Sequence, residues 1–400
     1  MLKGKKILIG ITGGISAYKV NFLIRDLRKM EAEVRIILTE SGKQFVSIVT
    51  LGAISNNEVY SELFVKANEK FIPHIDLAKW ADCLLICPAT ANFIAKATLG
   101  LADDLLSTVF IAYDKKAIFT PAMHKTMYLN PIVQENVKKL RNRGHIIIEP
   151  ETGGLASGDV GVGRLPEIEK IIHYVKKFLV CRDELKSKKV LVTAGRTEEP
   201  IDPIRFISNY SSGKMGFSIA EEAVMRGADV TLISGPTSLK PPFEVKYIQI
   251  KTAQDMAKSV KEEFLQNDVL IMASAVSDYK PIEFSNSKIK RGKEKFQIEL
   301  IKNEDILESI SKIKNDRIVV GFSLETENEI SNSIKKLKKK KLDFIVVNNP
   351  LIEGAGFGVD TNIVKIINKD ENVEDLPKLY KSELAKIIID KVIKIINERK

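Results

Sequence analysis

The chain has 400 residues, 44% of them apolar and 28% charged, with a mean hydropathy near zero. This excludes fibrous, disordered and membrane-embedded classes and gives material for two to three globular domains. The net charge is +10, yet lysine outnumbers arginine 49 to 13 and basic residues do not interleave with aromatics, so no nucleic-acid partner is expected.

Three cysteines form no CxxC pair, which predicts neither a zinc site nor a disulfide framework and fits a cytoplasmic chain. The apolar runs are too short for a signal segment or a membrane span, so no membrane partner is expected. Residues 7–11 read as a buried strand, 12–16 as its turn, and a helix follows to about Met30. Residues 34–38 form a second strand with 39–42 as its loop. This is a βαβ unit. Gly13-Gly14 lacks the GxGxxG spacing, which leaves a dinucleotide loop and a flavodoxin-like phosphate loop both open. A strand at 84–87 ends at Pro88-Ala89-Thr90-Ala91-Asn92, and one at 117–119 ends at Pro121-Ala122-Met123-His124. Three small-residue loops at strand ends predict one ligand pocket. A late strand at 145–148, a mobile glycine-rich flap at 151–163 and a helix at 167–179 close this half.

Residues 181–189 are polar and read as a boundary. Beyond it the pattern restarts: 188–195 echoes 5–13, and 227–233 echoes 31–38, which predicts two α/β units in tandem. In the second unit the first strand-to-helix connection expands to 196–213. It runs through Ser208-Asn209-Tyr210-Ser211-Ser212-Gly213-Lys214-Met215-Gly216 into a helix at 217–226. Such a loop can aim backbone N–H groups and two hydroxyls at one anion. It is not a Walker A loop, because Ser208 and Met215 stand where that motif has glycine and Ser or Thr. Strands at 269–273, 318–322 and 344–347 complete the sheet, 287–291 is a loop or edge strand, and a last helix begins near Pro377.

In this order the motifs resemble the fused coenzyme A biosynthesis family, which joins a phosphopantothenoylcysteine decarboxylase to a phosphopantothenate–cysteine ligase. The matching stretches are 12–19, 74–77, 88–92, 102–106 and 121–123, then 193–195, 199–203, 209–216, 278–279, 288–290 and 321–322. The resemblance covers nearly the whole chain. It implies two tandem Rossmann-like doubly wound domains: a flavodoxin-like flavoprotein domain over 1–182 and a ligase domain over 187–400.

For the first domain the resemblance implies bound FMN, cradled by Gly14, Ser16, Thr39, Ser41, Pro88, Ala89, Thr90 and Ala122. His74 is then the active-site base and Asn92 holds the substrate. For the second it implies a nucleotide triphosphate with Mg²⁺, CTP in bacterial members, with CTP against ATP left open by the residues. Asn209 acts on the acyl-nucleotide, and Ser211, Ser212 and Gly213 sit at the phosphates. Asp278, Lys288, Glu304, Asp305, Ile306, Leu307, Phe322, Lys336 and Lys340 lie at the nucleotide, with Lys288 also catalytic. Metal ligands are not identified by the sequence. The substrates are 4′-phosphopantothenate, cysteine and CTP. The assembly implied is a homo-oligomer of ligase dimers and decarboxylase trimers, compatible with a dodecamer.

Two positions depart from the common pattern. His124 replaces an asparagine, which aligns the chain with archaeal-type members. Ser157 replaces the flap cysteine that donates the final proton, and an alcohol is far less acidic than a thiol. These changes give two expectations: that His124 takes over the proton, or that the flavin half is degenerate and only the ligase works.

Overall fold

The computed structural model describes residues 2–64, 72–291, 296–354, 356 and 358–399. It divides into two compact units, Met1–Cys181 and Arg182–Lys400.

In the first unit β1 (Lys6–Ile11), β2 (Glu33–Leu38), β3 (Val59–Tyr60), β4 (Cys83–Ala89), β5 (Ile118–Pro121) and β6 (Ile146–Ile147) form one parallel sheet in the order β3-β2-β1-β4-β5-β6. The two faces of β1 are both covered. Ile7, Ile9 and Ile11 pack with Leu23, Ile24 and Leu27 of the helix Val20–Lys29. Leu8 points the other way, into a cluster with Leu84, Phe93, Leu106 and Phe119. Burial on both faces is why the strand reads as an unbroken apolar run. Chain order reverses between β1 and β4, and the crevice at such a switch point is where an open α/β sheet binds ligands.

The stretch expected as a mobile flap is an antiparallel hairpin, β7 (Glu151–Gly154) with β8 (Val160–Arg164). Residues 39–42 are not simply a loop. They form a short helix, Glu40–Lys43, because the Thr39 side chain accepts a hydrogen bond from the Gly42 N–H and caps it.

The second unit repeats the plan. A small hairpin joins β10 (Glu198–Pro200) to β11 (Phe206–Ser208). The main sheet contains β9 (Lys189–Ala194), β12 (Asp229–Ser234), β13 (Val245–Gln249), β14 (Val269–Met272), β17 (Ile318–Leu324) and β18 (Phe344–Asn348). Between β14 and β17 a second hairpin pairs β15 (Tyr279–Pro281) with β16 (Leu300–Lys302). The sheet does not end at residue 347 as expected. After β19 (Thr361–Asn362), β20 (Val364–Asn368) and β21 (Val373–Asp375) extend it antiparallel, while β22 (Leu379–Tyr380) pairs with β19. The order is β13-β12-β9-β14-β17-β18-β20-β21, with its reversal between β9 and β14. The last helix, Lys381–Glu398, lays Leu384, Ala385 and Ile388 into the core beside Ile219 and Ala220.

Candidate functional site

The strand-end loops of the first unit enclose a cavity of about 1030 Å³. Thr12 ties two of these loops together. Its buried hydroxyl donates to the Pro88 carbonyl at 2.7 Å and accepts from the Thr90 N–H at 3.1 Å. Gly13 brings a third loop close, since a Cβ there would lie 2.3 Å from the Ser41 Cβ. Gly14, Ser16, Thr39, Ser41, Thr90 and Ala122 all line the cavity. Pro88 and Ala89 are buried in β4 beneath it, with Pro88 packing 3.6 Å from where a Gly14 Cβ would stand.

Asn92, His124 and Ser157 also line it. His124 caps the short helix Lys125–Tyr128, accepting at Nδ1 from the Thr126 N–H at 3.3 Å. Nε2 therefore carries the proton shared with Asp159 Oδ2 at 2.7 Å. The Ser157 hydroxyl donates to the same Asp159 oxygen at 3.2 Å. Hydrogen bonds from His124 and Ser157, with Lys125 nearby, hold the Asp159 carboxyl below its ordinary range. The hairpin docks here through a 3.0 Å bond from the Met123 N–H to the Gly163 carbonyl.

His74 does not line this cavity. It lies on the helix Pro73–Trp80, and its buried Nδ1 has no hydrogen-bond partner among the described residues. Thr12, Lys96 and Asp104 do line it and were not assigned from sequence. Lys96 was within reach, being one helical turn beyond Asn92. Its ammonium meets Asp103 at 2.7 Å and Asp104 at 2.8 Å.

In the second unit the Asn209 side chain donates to the Ala275 carbonyl at 2.7 Å and accepts from the Ser211 N–H at 3.0 Å. That turn sets Ser211, Ser212 and Gly213 at the N-terminus of the helix Lys214–Met225, which starts three residues earlier than the sequence predicts. Gly213 has φ +82°, and its Cβ position is 3.2 Å from the Gly195 N, so the loop closes over the end of β9. Lys214 is occupied with the Gly358 carbonyl and Asp360.

Lys288 is exposed and has no ion-pair partner among the described residues. Its loop is fixed next door. Asp202, fully buried at its side chain, accepts from the Ile204, Arg205 and Ile289 N–H groups at 2.8, 2.7 and 3.2 Å. Burial alone would raise its pKa, but those three donors hold it below the ordinary value. Asp305 caps the helix Ile306–Ser311 and meets Lys340 at 2.7 Å. The Lys336 ammonium donates to the Phe322 carbonyl at 2.7 Å, and burial, with Lys340 beside it, pushes its pKa down. Asp278 is exposed, its carbonyl accepting from the Asn303 N–H at 2.8 Å. Glu304 is held by Lys261 and Ser309. The Ile306 and Leu307 side chains belong to the core, which leaves only their backbone for a ligand. Among the described residues no three His, Cys, Asp or Glu side chains converge as a metal site, and no helix is long and apolar enough to cross a membrane.

Comparison with known proteins agrees with both halves. Residues 1–180 match the family described as Flavoprotein, and 185–396 match the DNA/pantothenate metabolism flavoprotein C-terminal domain. The Coenzyme A biosynthesis bifunctional protein CoaBC of Haemophilus influenzae is 43% identical over 393 residues, covering 98% of each chain. That of Borreliella burgdorferi is 44% identical over 394 residues, covering 97% of this chain and 99% of its own. That of Bacillus subtilis is 40% identical over 395 residues, covering 98% and 97%. A crystal structure of the C-terminal domain of a CoaBC protein covers 54% of this chain and 99% of its own, at 39% identity and TM-score 0.47. These relatives with a named source are bacterial, which corrects the archaeal-type alignment drawn from His124. With two family matches that together span nearly every residue, and relatives matched end to end, the chain belongs to the family of bifunctional coenzyme A biosynthesis proteins.

Proposed function

We propose that the chain performs both reactions of its family: ligation of 4′-phosphopantothenate to cysteine, then decarboxylation of the 4′-phosphopantothenoylcysteine formed. The observation that carries this is the convergence of strand-end loops on one cavity at the switch point of the first sheet, with Asn92, His124 and Ser157 on its wall. The cradle suits FMN, because small residues let its backbone approach a flat ring and three hydroxyls, from Ser16, Ser41 and Thr90, can meet a phosphate while Thr39 anchors its loop. When bound, FMN would supply a reversible two-electron acceptor for the thiol-bearing carbon, which in its oxidised form takes up the electrons left as the adjacent carbon loses CO₂.

The protein's own part is positioning and proton handling. Asn92 holds the substrate. When substrate displaces its bonds to Thr126 and Asp159, His124 takes up a second proton at Nδ1 and delivers the one on Nε2 to carbon, directly or through water. Ser157 keeps Asp159 in place. His74 lies off the cavity within one copy, so a role as base requires a neighbouring copy to bring it there. A homo-oligomer is supported by Ile15, Tyr18 and Phe22, which are each more than half exposed within eight residues of chain, the first two at the rim of the cavity.

In the ligase unit the carboxylate of 4′-phosphopantothenate attacks the α-phosphorus of CTP and pyrophosphate leaves. Cysteine's amine then attacks the acyl carbon and CMP leaves. Lys288 and Lys336 offset the charge that builds on the phosphates, the Ser211–Gly213 turn receives them, and Asn209 orients the acyl group. Mg²⁺ arrives with the triphosphate. The cytoplasm is the fitting compartment, given two buried free thiols.

The test is incubation of the full chain with 4′-phosphopantothenate, cysteine and either CTP or ATP, with mass detection of both products. Ligation without CO₂ release after FMN reconstitution would leave a ligase with a degenerate flavin half. No ligation with either nucleotide would overturn the ligase reading.

A further inference from the structure

A second cavity, of about 970 Å³, lies in the ligase unit at the amino-terminal end of β17 and β18. The loops read as the nucleotide site lie at the opposite, carboxyl-terminal ends of the strands. Six cations line this second cavity: Lys312, Lys314, Lys338, Lys341, Lys369 and Arg399. Behind three of them is Asp343, whose carboxylate is 1% exposed. Oδ2 accepts from Lys314 at 2.6 Å and from the Val319 N–H at 2.8 Å. Oδ1 accepts from Lys369 at 2.6 Å and from Arg399.

One buried carboxylate needs one cation for neutrality, and this one holds three. Lys338 is matched by Glu371 at 2.5 Å. Lys312 and Lys341 have no ion-pair partner among the described residues. Among the described residues, six lining cations face Asp343, Glu371 and the lining Asp316, with Glu304 within electrostatic reach of Lys312, so positive charge is in excess. The crowding is felt inside the cluster. Burial lowers the Lys314 pKa, and Lys369 and Arg399 push it further down against the pull of Asp343. A concave wall of one sign concentrates the opposite charge.

The donor chemistry narrows the ligand. The Arg399 fork is already tied to the Asp316 carbonyl and to Asp343, which leaves lysine ammonium groups, point charges that suit phosphate oxygens. No aromatic side chain lines the cavity, so there is nothing for a base or ring to stack on. We propose that this cavity is an anion site for a small molecule carrying two or more phosphate groups, separate from the ligase's nucleotide loops.

The experiment is lysine acetylation footprinting of the full chain by mass spectrometry, with inorganic pyrophosphate as probe and ADP and orthophosphate as parallel arms. Pyrophosphate should protect Lys312, Lys341 and Lys369 severalfold. Lys312→Gln combined with Lys341→Gln, both exposed positions, should weaken that protection at Lys369 by roughly tenfold, while Lys394→Gln, an exposed lysine outside the cavity, leaves it unchanged. Equal protection by ADP identifies a phosphate ester as the source, and protection by pyrophosphate alone identifies the free anion. The proposal fails if pyrophosphate protects none of the three lysines. It fails equally if the double variant protects Lys369 like the parent, or if a short RNA duplex protects the cluster where pyrophosphate does not.

Discussion

Replacing Gly13 with alanine puts one methyl group between two walls of the flavin cradle. The new Cβ would lie 2.3 Å from the Ser41 Cβ and 3.0 Å from its carbonyl carbon and oxygen. Carbon atoms sit at about 3.5–4.0 Å when unstrained, so one loop must retreat by more than an ångström. Neither loop is free to do so. Thr39 is tied to the Ile11 carbonyl through both its N–H and its hydroxyl, each at 3.1 Å, and Thr12 is locked to Pro88 and Thr90. Overpacking of this kind costs about 1–3 kcal/mol. If that strain falls on the bound state, FMN affinity drops by about fivefold to a hundredfold, at tenfold per 1.4 kcal/mol. Quenching of flavin fluorescence on titration measures it directly. Gly52→Ala is the control, because its nearest neighbour would be 3.5 Å away and alanine within the helix Ile48–Ser55 adds about 0.5–1 kcal/mol of stability. Gly13→Ala binding FMN within about twofold of the parent would refute the claim that the Gly13–Ser41 approach shapes the cradle. Lower thermal stability with unchanged affinity would show that the strain is absorbed away from the cavity.

Lys288→Gln should block acyl-nucleotide formation, whereas Asn209→Asp should let it form and accumulate; trapping with labelled nucleotide separates them, and identical behaviour would sink the division of roles. Asp202→Asn should slow acyl-nucleotide formation by loosening the Lys288 loop, with rescue absent at any nucleotide concentration. Asp202 has a lowered pKa, so the stability it adds is present above the unfolded carboxyl value near 3.9 and is lost as pH falls through the lower folded value. Melting curves of parent and variant should therefore converge in acid and diverge above pH ~4. His124→Asn and Asp159→Asn should both stall after CO₂ release with reduced flavin, while Ser157→Ala turns over almost normally; the reverse pattern, read by flavin absorbance and product mass, makes the serine the working group. Burial pushes the Cys87 thiol up to about 12, so it should resist iodoacetamide at pH 8 in the folded chain and react only on unfolding, as mass spectrometry of labelled peptides would show.

The central strands were readable because both their faces are buried. The run Leu191, Val192, Thr193 and Ala194 has no polar face to break the pattern. Edge strands were not. In β13 the residues Val245 to Gln249 are all at least partly exposed, and β21 is exposed throughout, so neither carries a buried period. The short capped helix after Thr39 is too brief for periodicity to register. In the site, small-residue loops announced the cavity, since three of them follow strands of one half, where an open α/β sheet gathers its ligand. What the sequence could not show was long-range pairing. Thr12 meets Pro88 across 76 positions and Asp202 meets Ile289 across 87, and nothing local marks either partner. His74 shows the converse, a motif residue whose neighbours within one copy do not include the cavity.

Among the described residues, the two hydrophobic cores of each unit draw their buried members from that unit, with Val175 the last contributor on one side and Leu185 the first on the other. Each unit thus carries a packed core within its own stretch of chain. Genes for the two halves could drift apart, or be rejoined, without either product having to relearn how to fold. What fusion secures is stoichiometry: one transcript and one ribosome deliver consecutive catalysts in equal number, so neither step outgrows the supply of the other.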